Sequence, residues 1–376
     1  MIVTLSIISL FCTAVYLLLL CYLIRGWSRL KHPGKMNGTF TTKVTILIAA
    51  RNEEEKIALT IEDILAQDYP KELFEVIIAD DHSTDRTAEI ITSYADRKVR
   101  LLQLYDDKAL NSYKKRAIAE AIKLSTGDFM VATDADCRMG TKWLSTIISH
   151  YEANDLVMIS SPVAYFEEHS LFEYMQSLEF MYLIGVGAAF IGNGKASTCN
   201  GANFAYRKDV FNEVGGFQGI DNLASGDDEL LLQKVAAKYP HRIGFLKSPD
   251  AVVYTHAKPN VKEFMQQRRR WASKSTSYKD KKVVAFVVCI WLFNVTMLLN
   301  AALSFYDIAF FELLLVQVAL KYVFEFVYLY PITKFFNRTR LISLLILIIP
   351  VHVLYMVYIG TIKKSTRYNW KGRHVR

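Results

Sequence analysis

Two aspartates, Asp134 and Asp136, stand one residue apart just after a short apolar run at residues 127–132. The run is typical of a buried strand, and residues i and i+2 of a strand point to the same side. Both carboxylates can therefore reach one hard cation beyond the end of the strand, with diphosphate oxygens as its other ligands. The spacing indicates a metal–diphosphate site. The alternative is a solvated acidic turn, because Asp is common in turns.

The elements that would position this pair alternate between strand and helix. Strands are predicted at residues 44–50, 74–79, 99–104 and 127–132, and helices within 53–67 and at about 84–94 and 114–124. This alternation is typical of an α/β fold with a mainly parallel sheet and right-handed crossovers. Ligands of such sheets bind at the carboxyl ends of the strands. Asp80 and Asp81, which follow the second strand, are therefore expected to line one crevice with Asp134 and Asp136.

Beyond the fourth strand the strict alternation is lost. Residues 171–191 are apolar but are interrupted by Glu173 and Glu179, so an amphipathic or interfacial helix is predicted there. A turn-rich region follows, and residues 225–229 lead into a helix predicted at 230–237. Residues 266–271 close the part of the chain that is expected to be soluble.

The N-terminal segment is apolar enough to enter a membrane. Of the 376 residues 52% are hydrophobic, which is high for a fully soluble protein. Residues 2–24 carry no charge and are followed by Arg25, Arg29, Lys31 and Lys35, which favours an uncleaved anchor whose far end is cytoplasmic. A cleaved signal peptide, the alternative, would carry its basic residues before the apolar segment.

The C-terminal part of the chain is also apolar. Its apolar stretches lie near residues 283–303, 308–330 and 341–360. The middle stretch carries Glu312, Lys321 and Glu325, which are costly in lipid unless they face protein or the interface. Pro350 permits a kink or a re-entrant segment in the last stretch, so the C-terminal topology stays open.

The formal charge of +8 does not indicate a nucleic-acid partner. The basic residues gather beside the apolar segments, where they fit anionic lipid head groups or anionic phosphate substrates. No RNA- or DNA-binding motif is found in the sequence. The five cysteines lack the paired spacing of a disulfide framework or a zinc site, which fits a reducing cytosol.

A set of short motifs follows in order along residues 43–273. The set comprises Ala50-Arg51-Asn52-Glu53, Ala79-Asp80-Asp81-His82-Ser83-Thr84-Asp85, Lys114 before a helix, Asp134-Ala135-Asp136, Gly226-Asp227-Asp228 and Gln267-Arg268-Arg269-Arg270-Trp271. In this order and spacing the chain resembles the membrane-bound family 2 inverting glycosyltransferases, which include cellulose, chitin and hyaluronan synthases and ceramide glucosyltransferase. The resemblance implies a GT-A fold, a nucleotide-sugar donor and a divalent metal, Mg²⁺ or Mn²⁺.

The resemblance assigns donor binding to the ends of the strands. Nucleotide-sugar binding is expected from Ala50, Asn52, Glu53, Asp80, Asp81, Lys114 and Asp134, and metal binding from Asp134 and Asp136. Aspartates beyond a strand can accept hydrogen bonds from a pyrimidine N–H and from ribose hydroxyls. The alternative for Asp80 and Asp81 is to cap the next helix, a role for which Asp85 is the better candidate. His82 stands where the family usually has Gly, and a neutral structural histidine is expected there.

Inverting transfer needs a base on the side of the sugar opposite the leaving group. Asp228 matches the aspartate of the family's Glu-Asp motif and is the expected base, with Asp227 in the place of the Glu. A carboxylate at a helix N-terminus is held ionised, which suits a base, and a helix cap is the alternative for one of the pair. Lys115 leaves the assignment of the family lysine to Lys114 open, and either lysine can be a solvated helix residue.

Gln267, Arg270 and Trp271 fit the family pattern QxxRW and are expected to bind the acceptor or the diphosphate. A guanidinium group offers a fork for phosphate oxygens, and Trp offers a flat surface for a sugar face. The alternative, above all for Arg268 and Arg269, is a basic collar beside a transmembrane segment. The pattern occurs in processive synthases and in enzymes that add one sugar to a lipid, so it does not decide between them.

The predicted domains are an N-terminal transmembrane anchor (1–25), a cytoplasmic GT-A domain (43–282), a C-terminal transmembrane region (283–362) and a basic tail (363–376). The expected function, in the plasma or inner membrane, is transfer of a sugar from a UDP-sugar, the donor that the resemblance favours. The acceptor would be lipid-linked or a glycan, in cell-envelope glycan or glycolipid synthesis. A processive polysaccharide synthase is the first alternative, although the few C-terminal spans offer little material for a channel. A catalytically silent membrane scaffold is the second.

Overall fold

The computed structural model describes residues 2–34, 39–105, 112–223, 225–273, 281–361, 368–370 and 373–375. The chain divides into two compact units. The helical unit comprises Met1–Ser28, Glu168–Ala189 and Lys258–Ser365, and the sheet unit comprises Arg29–Glu167, Phe190–Ala257 and Thr366–Arg376. The units are thus discontinuous in sequence, whereas the domain boundaries predicted above follow the chain.

The helices and strands of the described residues alternate along the first third of the chain. The α-helices are α1 (Ile2–Arg29), α2 (Ile57–Leu65), α3 (Thr87–Thr92), α4 (Tyr113–Leu124), α5 (Trp143–Glu152), α6 (Leu171–Gly192), α7 (Lys208–Glu213), α8 (Glu229–Lys238), α9 (Val261–Ser273), α10 (Lys281–Leu303), α11 (Ile308–Phe335) and α12 (Leu345–Thr361). The strands are β1 (Val44–Ala50), β2 (Phe74–Asp80), β3 (Val99–Gln103), β4 (Phe129–Asp134), β5 (Arg138–Met139), β6 (Met158–Ser160), β7 (Val163–Tyr165), β8 (Phe204–Arg207), β9 (Ile243–Phe245), β10 (Val253–Thr255), β11 (Tyr368–Trp370) and β12 (Arg373–Val375). Short 3₁₀ helices lie at Ala95–Arg97, Pro249–Ala251 and Thr339–Leu344.

A seven-stranded sheet forms the centre of the sheet unit, in the order β3-β2-β1-β4-β8-β6-β9. Strands β3, β2, β1 and β4 are parallel, and β8 runs antiparallel to both of its neighbours. Ala50 pairs with Asp80 and Ala49 pairs with Asp134, so β1, β2 and β4 end at one edge of the sheet. A smaller sheet has the order β5-β10-β7. The predicted α/β class with a mainly parallel sheet is confirmed.

Strand β1 owes its position at the centre to its composition. Ile46, Leu47 and Ile48 are consecutive and all fully buried. Because consecutive strand residues point to opposite faces, both faces of the sheet are covered here. The prediction for β1 has the right bounds, but β4 ends later than expected. Asp134 is its last residue and Asp136 lies in the following turn, so the strand argument for a shared side applies to Asp134 alone.

The helical unit contains the apolar helices. Among the described residues, four helices are long and apolar enough to cross a membrane: Ile2–Arg29, Leu171–Gly192, Val284–Leu303 and Thr339–Thr361. The second of these covers the stretch for which the sequence predicts an amphipathic or interfacial helix. Its Glu179 accepts a hydrogen bond from Arg268 Nη2 at 2.7 Å, so the charge that counted against a span is paired inside the protein. Pro350 lies within α12, which continues as a helix on both sides of it.

Two charged residues of α11, Lys321 and Glu325, also face protein. Lys321 and Glu325 are buried and form an ion pair with an Nζ–Oε1 distance of 2.7 Å. Tyr16 of α1 donates a hydrogen bond to Glu325 Oε1 at 2.5 Å, and Lys321 Nζ donates to the Tyr16 hydroxyl at 3.1 Å. Glu312 is exposed. The structure thus buries the two charges that are expensive in lipid, and it binds α1 to α11 through them.

Candidate functional site at the strand ends of the sheet unit

The loops that follow β1 and β2 brace each other. Asn52, with a positive φ of 50°, donates from its backbone N–H to Ser83 Oγ at 2.9 Å. Its side-chain Oδ1 accepts from the Thr84 N–H at 2.9 Å, and the Glu53 N–H donates to Thr87 Oγ1 at 2.8 Å. The polar residues of this edge are therefore held by reciprocal bonds between two loops rather than by either loop alone.

Asp80 and Asp81 lie at the end of β2, as the sequence predicts, and both are buried. Ser83 donates a hydrogen bond from its hydroxyl to Asp80 Oδ1, and its N–H lies 3.4 Å from Asp80 Oδ2. Burial raises the pKa of Asp80 above its ordinary value. The Asp81 N–H donates to the Ala50 carbonyl at 2.9 Å. Asp80 thus closes the turn after β2, and Asp81 links that turn to the end of β1.

His82 has a backbone conformation that suits glycine, the residue that the family pattern predicts at this point. Its φ is 57°, in the left-handed region that Gly adopts most easily and that His tolerates better than most residues. Arg51 Nη1 donates to the carbonyls of Asp81 and His82 at 2.7 and 2.8 Å, which fixes the turn. The imidazole Nδ1 lies 2.9 Å from Asp81 Oδ1. The loop therefore keeps a glycine-like path despite the larger side chain.

Lys114 joins two carboxylates from distant parts of the chain. Its Nζ donates to Asp134 Oδ1 at 2.7 Å and lies 3.1 Å from Asp227 Oδ2. Burial favours the neutral amine, but the carboxylates of Asp134 and Asp227 outweigh it and raise the pKa of Lys114 above its ordinary value. Burial also opposes ionisation of Asp227, yet the Lys114 ammonium keeps the pKa of Asp227 below its ordinary value. Lys114 is thus a charged member of the cluster and not a solvated helix residue.

The aspartates at the end of β4 suit a divalent cation that also binds a phosphorylated ligand. Asp136 is half-buried and makes no hydrogen bond or ion pair with the described residues, so its oxygens are available as ligands. Within the part of the chain that the structure describes, no group of three His, Cys, Asp or Glu side chains could hold a metal ion. Mg²⁺ characteristically takes one or two carboxylates and completes its shell with water and substrate phosphates. The donor set of Asp134 and Asp136 fits that mode.

Asp228 has both carboxylate oxygens oriented by backbone donors. Oδ1 accepts from the Glu229 N–H at 2.6 Å, which caps α8, and Oδ2 accepts from the Gly201 N–H at 2.8 Å. A Cβ at Gly201 would lie 3.3 Å from Oδ2 of both Asp227 and Asp228, so glycine permits this close approach. The cap that the sequence offered as the alternative exists, and it also fixes the direction of the carboxylate.

Two residues of this cluster were missed or left undecided by sequence reasoning. Gly201 gives no local signal beyond its place in a turn-rich region, because its partners lie more than 20 residues away in the sequence. Lys115 is adjacent to Lys114, yet its Nζ donates to the carbonyls of Ile220, Leu223 and Ser225 instead of to the carboxylates.

A pocket next to Lys114 and Asp227 is lined by Phe204, Tyr206 and Phe217.

The predicted acceptor motif lies on α9 in the helical unit. Trp271 stacks on Phe180 of α6, with ring centroids 6.1 Å apart, and the Arg268 guanidinium lies 4.3 Å from the Trp271 ring. Arg268 is buried and paired with Glu179, so a solvated basic collar does not describe it. Arg269 is exposed. Gln267 Oε1 is buried with no hydrogen-bond partner among the described residues. The contacts of Arg268 and Trp271 described here are therefore contacts between α9 and α6 of the helical unit.

Known proteins resemble the chain in both sequence and fold. Residues 45–215 match the profile of Glycosyl transferase family 2. The probable glycosyltransferase YdaM of Bacillus subtilis (strain 168) is 27% identical over 237 residues, which are 61% of this chain and 54% of the relative. The glucosyl-dolichyl phosphate glucuronosyltransferase of Haloferax volcanii is 29% identical over 181 residues, 46% of this chain and 56% of that one. The chain thus spans about half the length of these relatives.

One solved structure shares the fold over nearly the whole chain. It is the mannosyltransferase PcManGT from Pyrobaculum calidifontis, in complex with GDP-Man and Mn²⁺, with a TM-score of 0.61 at 18% sequence identity. The match covers 91% of this chain and 98% of that one. At this identity the similarity establishes the fold alone.

Proposed function

Because residues 45–215 match Glycosyl transferase family 2 and the chain shares the fold of a solved mannosyltransferase, we propose that the protein transfers a sugar, with inversion, from a nucleoside diphosphate sugar to a membrane-associated acceptor. The observation that carries the proposal is the meeting of three chain segments at Lys114, which contacts Asp134 at the end of β4 and Asp227 before α8. The match of residues 45–215 to Glycosyl transferase family 2 supports a glycosyltransferase. The donor, the acceptor, the metal and the stereochemistry belong to the proposal.

The donor binds at the carboxyl ends of β1 and β2. Ala50, Asn52 and Glu53 form one braced loop there, and Asp80 and Asp81 form the start of the other. The family resemblance favours a UDP-sugar, with the aspartates accepting hydrogen bonds from the base and the ribose. PcManGT was solved with GDP-Man, which supports a nucleotide sugar as the donor class and leaves the base to experiment.

Mg²⁺ or Mn²⁺ would be held by Asp134 and Asp136. Bound there, the ion would neutralise charge that develops on the departing nucleoside diphosphate. Lys114 adds a fixed positive charge beside the same site, since its Nζ lies 2.7 Å from Asp134 Oδ1. A preorganised ammonium of this kind stabilises a leaving diphosphate without further rearrangement. The Mn²⁺ in the PcManGT complex supports a divalent metal for the fold.

Asp228 acts as the base. Its carboxylate is aimed by the N–H groups of Gly201 and Glu229, and its remaining lone pairs can accept the proton of an acceptor hydroxyl. As that oxygen forms a bond to the anomeric carbon, the bond to the diphosphate oxygen breaks on the opposite face. The configuration at the anomeric carbon is thereby inverted, and the proton passes to Asp228.

The acceptor is lipid-linked or a membrane-bound glycan in cell-envelope synthesis. The described part of the chain has four helices that are long and apolar enough to cross a membrane, and the Haloferax volcanii relative is named for a dolichyl phosphate substrate. The basic residues after α1 support a cytoplasmic catalytic unit by the positive-inside bias. Gln267, Arg270 and Trp271 would contact the acceptor or the diphosphate.

The test is a panel of UDP-, GDP- and ADP-sugars incubated with the intact protein in membranes, with Mg²⁺ or Mn²⁺. Consumption of one donor that stops in Asp136→Ala, but continues in Asp209→Asn, is the expected result. Asp209 is an exposed aspartate paired with Arg207, which lies opposite Phe129 at the start of β4 and thus at the other edge of the sheet from Asp134, and so controls for loss of any carboxylate. No binding and no consumption of any donor by folded protein would favour the catalytically silent scaffold.

A further inference from the structure

The segment just before Asp227 and Asp228 is tied to α4 by a single ammonium group. Lys115 Nζ donates to the carbonyls of Ile220, Leu223 and Ser225 at 2.7, 2.7 and 2.8 Å. The Ser112 hydroxyl donates to the carbonyl of Asp221, the next position along the same segment. Four carbonyl oxygens between positions 220 and 225 are therefore bound by side chains at the start of α4.

The burial of Lys115 makes this contact energetically costly to lose. Its side chain is almost fully buried, and an ammonium group has three N–H donors and no acceptor. The three carbonyls match those donors, so the cost of desolvating the charge is offset by three charge-assisted hydrogen bonds. A cation in the first turn of a helix opposes the helix dipole. Helix stability alone therefore does not account for a lysine at this position.

Adjacent lysines of α4 thus have different partners. Lys114 contacts the carboxylates of Asp134 and Asp227, whereas Lys115 contacts the backbone that leads to Asp227 and Asp228. Gly226 follows Ser225 with a positive φ of 85°, so the chain turns sharply between the bound carbonyl and the two aspartates. Only Gly226 lies between Ser225 and Asp227, so a displacement of the Ser225 carbonyl would also displace the carboxylates of Asp227 and Asp228.

We propose that Lys115 is a positioning residue for the base of the transfer reaction. It binds the carbonyls of Ile220, Leu223 and Ser225 and thereby sets the positions of Asp227 and Asp228 relative to Lys114. The inference rests on the proposed function, because it assigns Lys115 a part in that reaction without contact to the substrates. Lys114 would act on the donor through direct contact with the carboxylates, whereas Lys115 would act on the geometry of the base through the backbone, with its charge also favouring ionised Asp227.

The first measurement is hydrogen–deuterium exchange of the intact protein, which does not depend on activity. In Lys115→Met, amides of the peptide covering 219–230 should exchange faster, while those of β1 and β2 are unchanged. Lys123→Met is the matched control, since Lys123 lies on the same helix, is exposed and pairs with Glu120. If Lys115→Met does not fold, the same exchange is measured in Lys115→Arg, which keeps the charge. Unchanged exchange at 219–230 in the folded variant overturns the inference.

The second measurement is the kinetics of the same variants. Lys115→Met should lower kcat about tenfold or more and leave the dissociation constant of the donor unchanged, because misplacement of a catalytic group by about 1 Å is enough for such a loss. Lys114→Met should weaken donor binding. A wild-type kcat in Lys115→Met also overturns the inference and leaves the proposed function standing. Absence of turnover by the wild-type protein with every donor overturns the proposed function, and the exchange result still decides whether Lys115 holds the segment.

Discussion

The helical unit and the sheet unit both contain paired charges, but they expose them to very different degrees. In the helical unit the side chains of Lys321 and Glu325 are 1% and 6% exposed. In the sheet unit those of Lys114, Asp134 and Asp227 are 23%, 39% and 18% exposed. The first pair is closed to any ligand, whereas the second cluster opens to solvent at the ends of the strands. Burial alone therefore does not mark a functional charge cluster.

The two regions also differ in charge balance. Lys321 and Glu325 neutralise each other and are further bonded to Tyr16, so the pair needs nothing more. Lys114 faces two carboxylates, and Asp136 nearby has no partner among the described residues. An excess of carboxylate that is partly exposed calls for a cation, whereas a neutral buried pair stabilises helix packing. The comparison yields predictions that differ in size and in the property that changes.

The largest effect is expected for Asp228→Asn. Turnover should fall by roughly 10²- to 10⁴-fold, the contribution typical of a positioned base. Asn can keep the cap on the Glu229 N–H through its single side-chain oxygen but loses the bond from the Gly201 N–H, so a modest loss of stability is expected and the protein should still fold. The check is kcat beside thermal stability, with Asp209→Asn as the control. A variant that keeps a tenth or more of the wild-type kcat would remove Asp228 from the role of base.

The next effect is on stability and lies in the helical unit. Lys321→Met leaves Glu325 charged, buried and without its ionic partner, which should cost about 3–5 kcal/mol. The double variant Lys321→Met/Glu325→Leu should recover most of that loss, because well-packed apolar residues often replace a buried pair without net cost. The free energy of unfolding of the single and the double variant is measured in detergent. A single variant as stable as the wild type would contradict the closed, self-sufficient pair described here.

A smaller effect is expected for Lys114→Met. Because the cluster is partly exposed, its ion pairs contribute little to stability. The free energy of unfolding should therefore change by about 1 kcal/mol or less. Donor binding should weaken by roughly tenfold, the equivalent of about 1.4 kcal/mol, since a charge-assisted contact to the diphosphate is lost. Titration with the donor and thermal unfolding give the two values. A stability loss as large as that of Lys321→Met, with donor binding unchanged, would show that Lys114 stabilises the fold and does not bind the donor.

The smallest effect is expected for His82→Gly. Gly removes a left-handed strain of roughly 1–2 kcal/mol but also loses the contact to Asp81, so stability should stay within about 1 kcal/mol of wild type. Donor affinity should change by no more than about twofold, the usual range for a residue outside the machinery. A much larger loss of donor affinity would show that the imidazole itself contacts the nucleotide.

The features that sequence reasoning predicted are those with a local signature. The strand β1 was found from its uninterrupted apolar run, and the aspartates after β2 and β4 from their places beyond such runs. Fold class follows from that alternation, because a parallel sheet requires helices between its strands. The family resemblance and the GT-A fold implied by the motifs are confirmed.

The features that it could not predict depend on contacts between distant residues. In the sequence, the charge of Glu179 argues against a membrane span. Its partner Arg268 lies 89 residues away and only the structure shows the pair. Tyr16 and Glu325 meet across 309 residues. Nothing local to Lys115 distinguishes it from Lys114, since the difference lies in loop carbonyls more than 100 residues further along. The roles of Asp227 and Asp228 likewise stay predictions, because side-chain orientation does not identify a proton acceptor.

The most direct test of the central claim is transfer of labelled sugar from the consumed nucleotide sugar by intact protein in membranes. With Mg²⁺ or Mn²⁺ the label should enter a lipid-extractable product of inverted anomeric configuration, larger than the acceptor by one sugar. EDTA should abolish the transfer, and Asp136→Ala should show none while Asp209→Asn behaves as wild type. Transfer that persists in EDTA and in Asp136→Ala, or no transfer by folded protein with any donor, would contradict a metal-dependent glycosyltransferase at the strand ends.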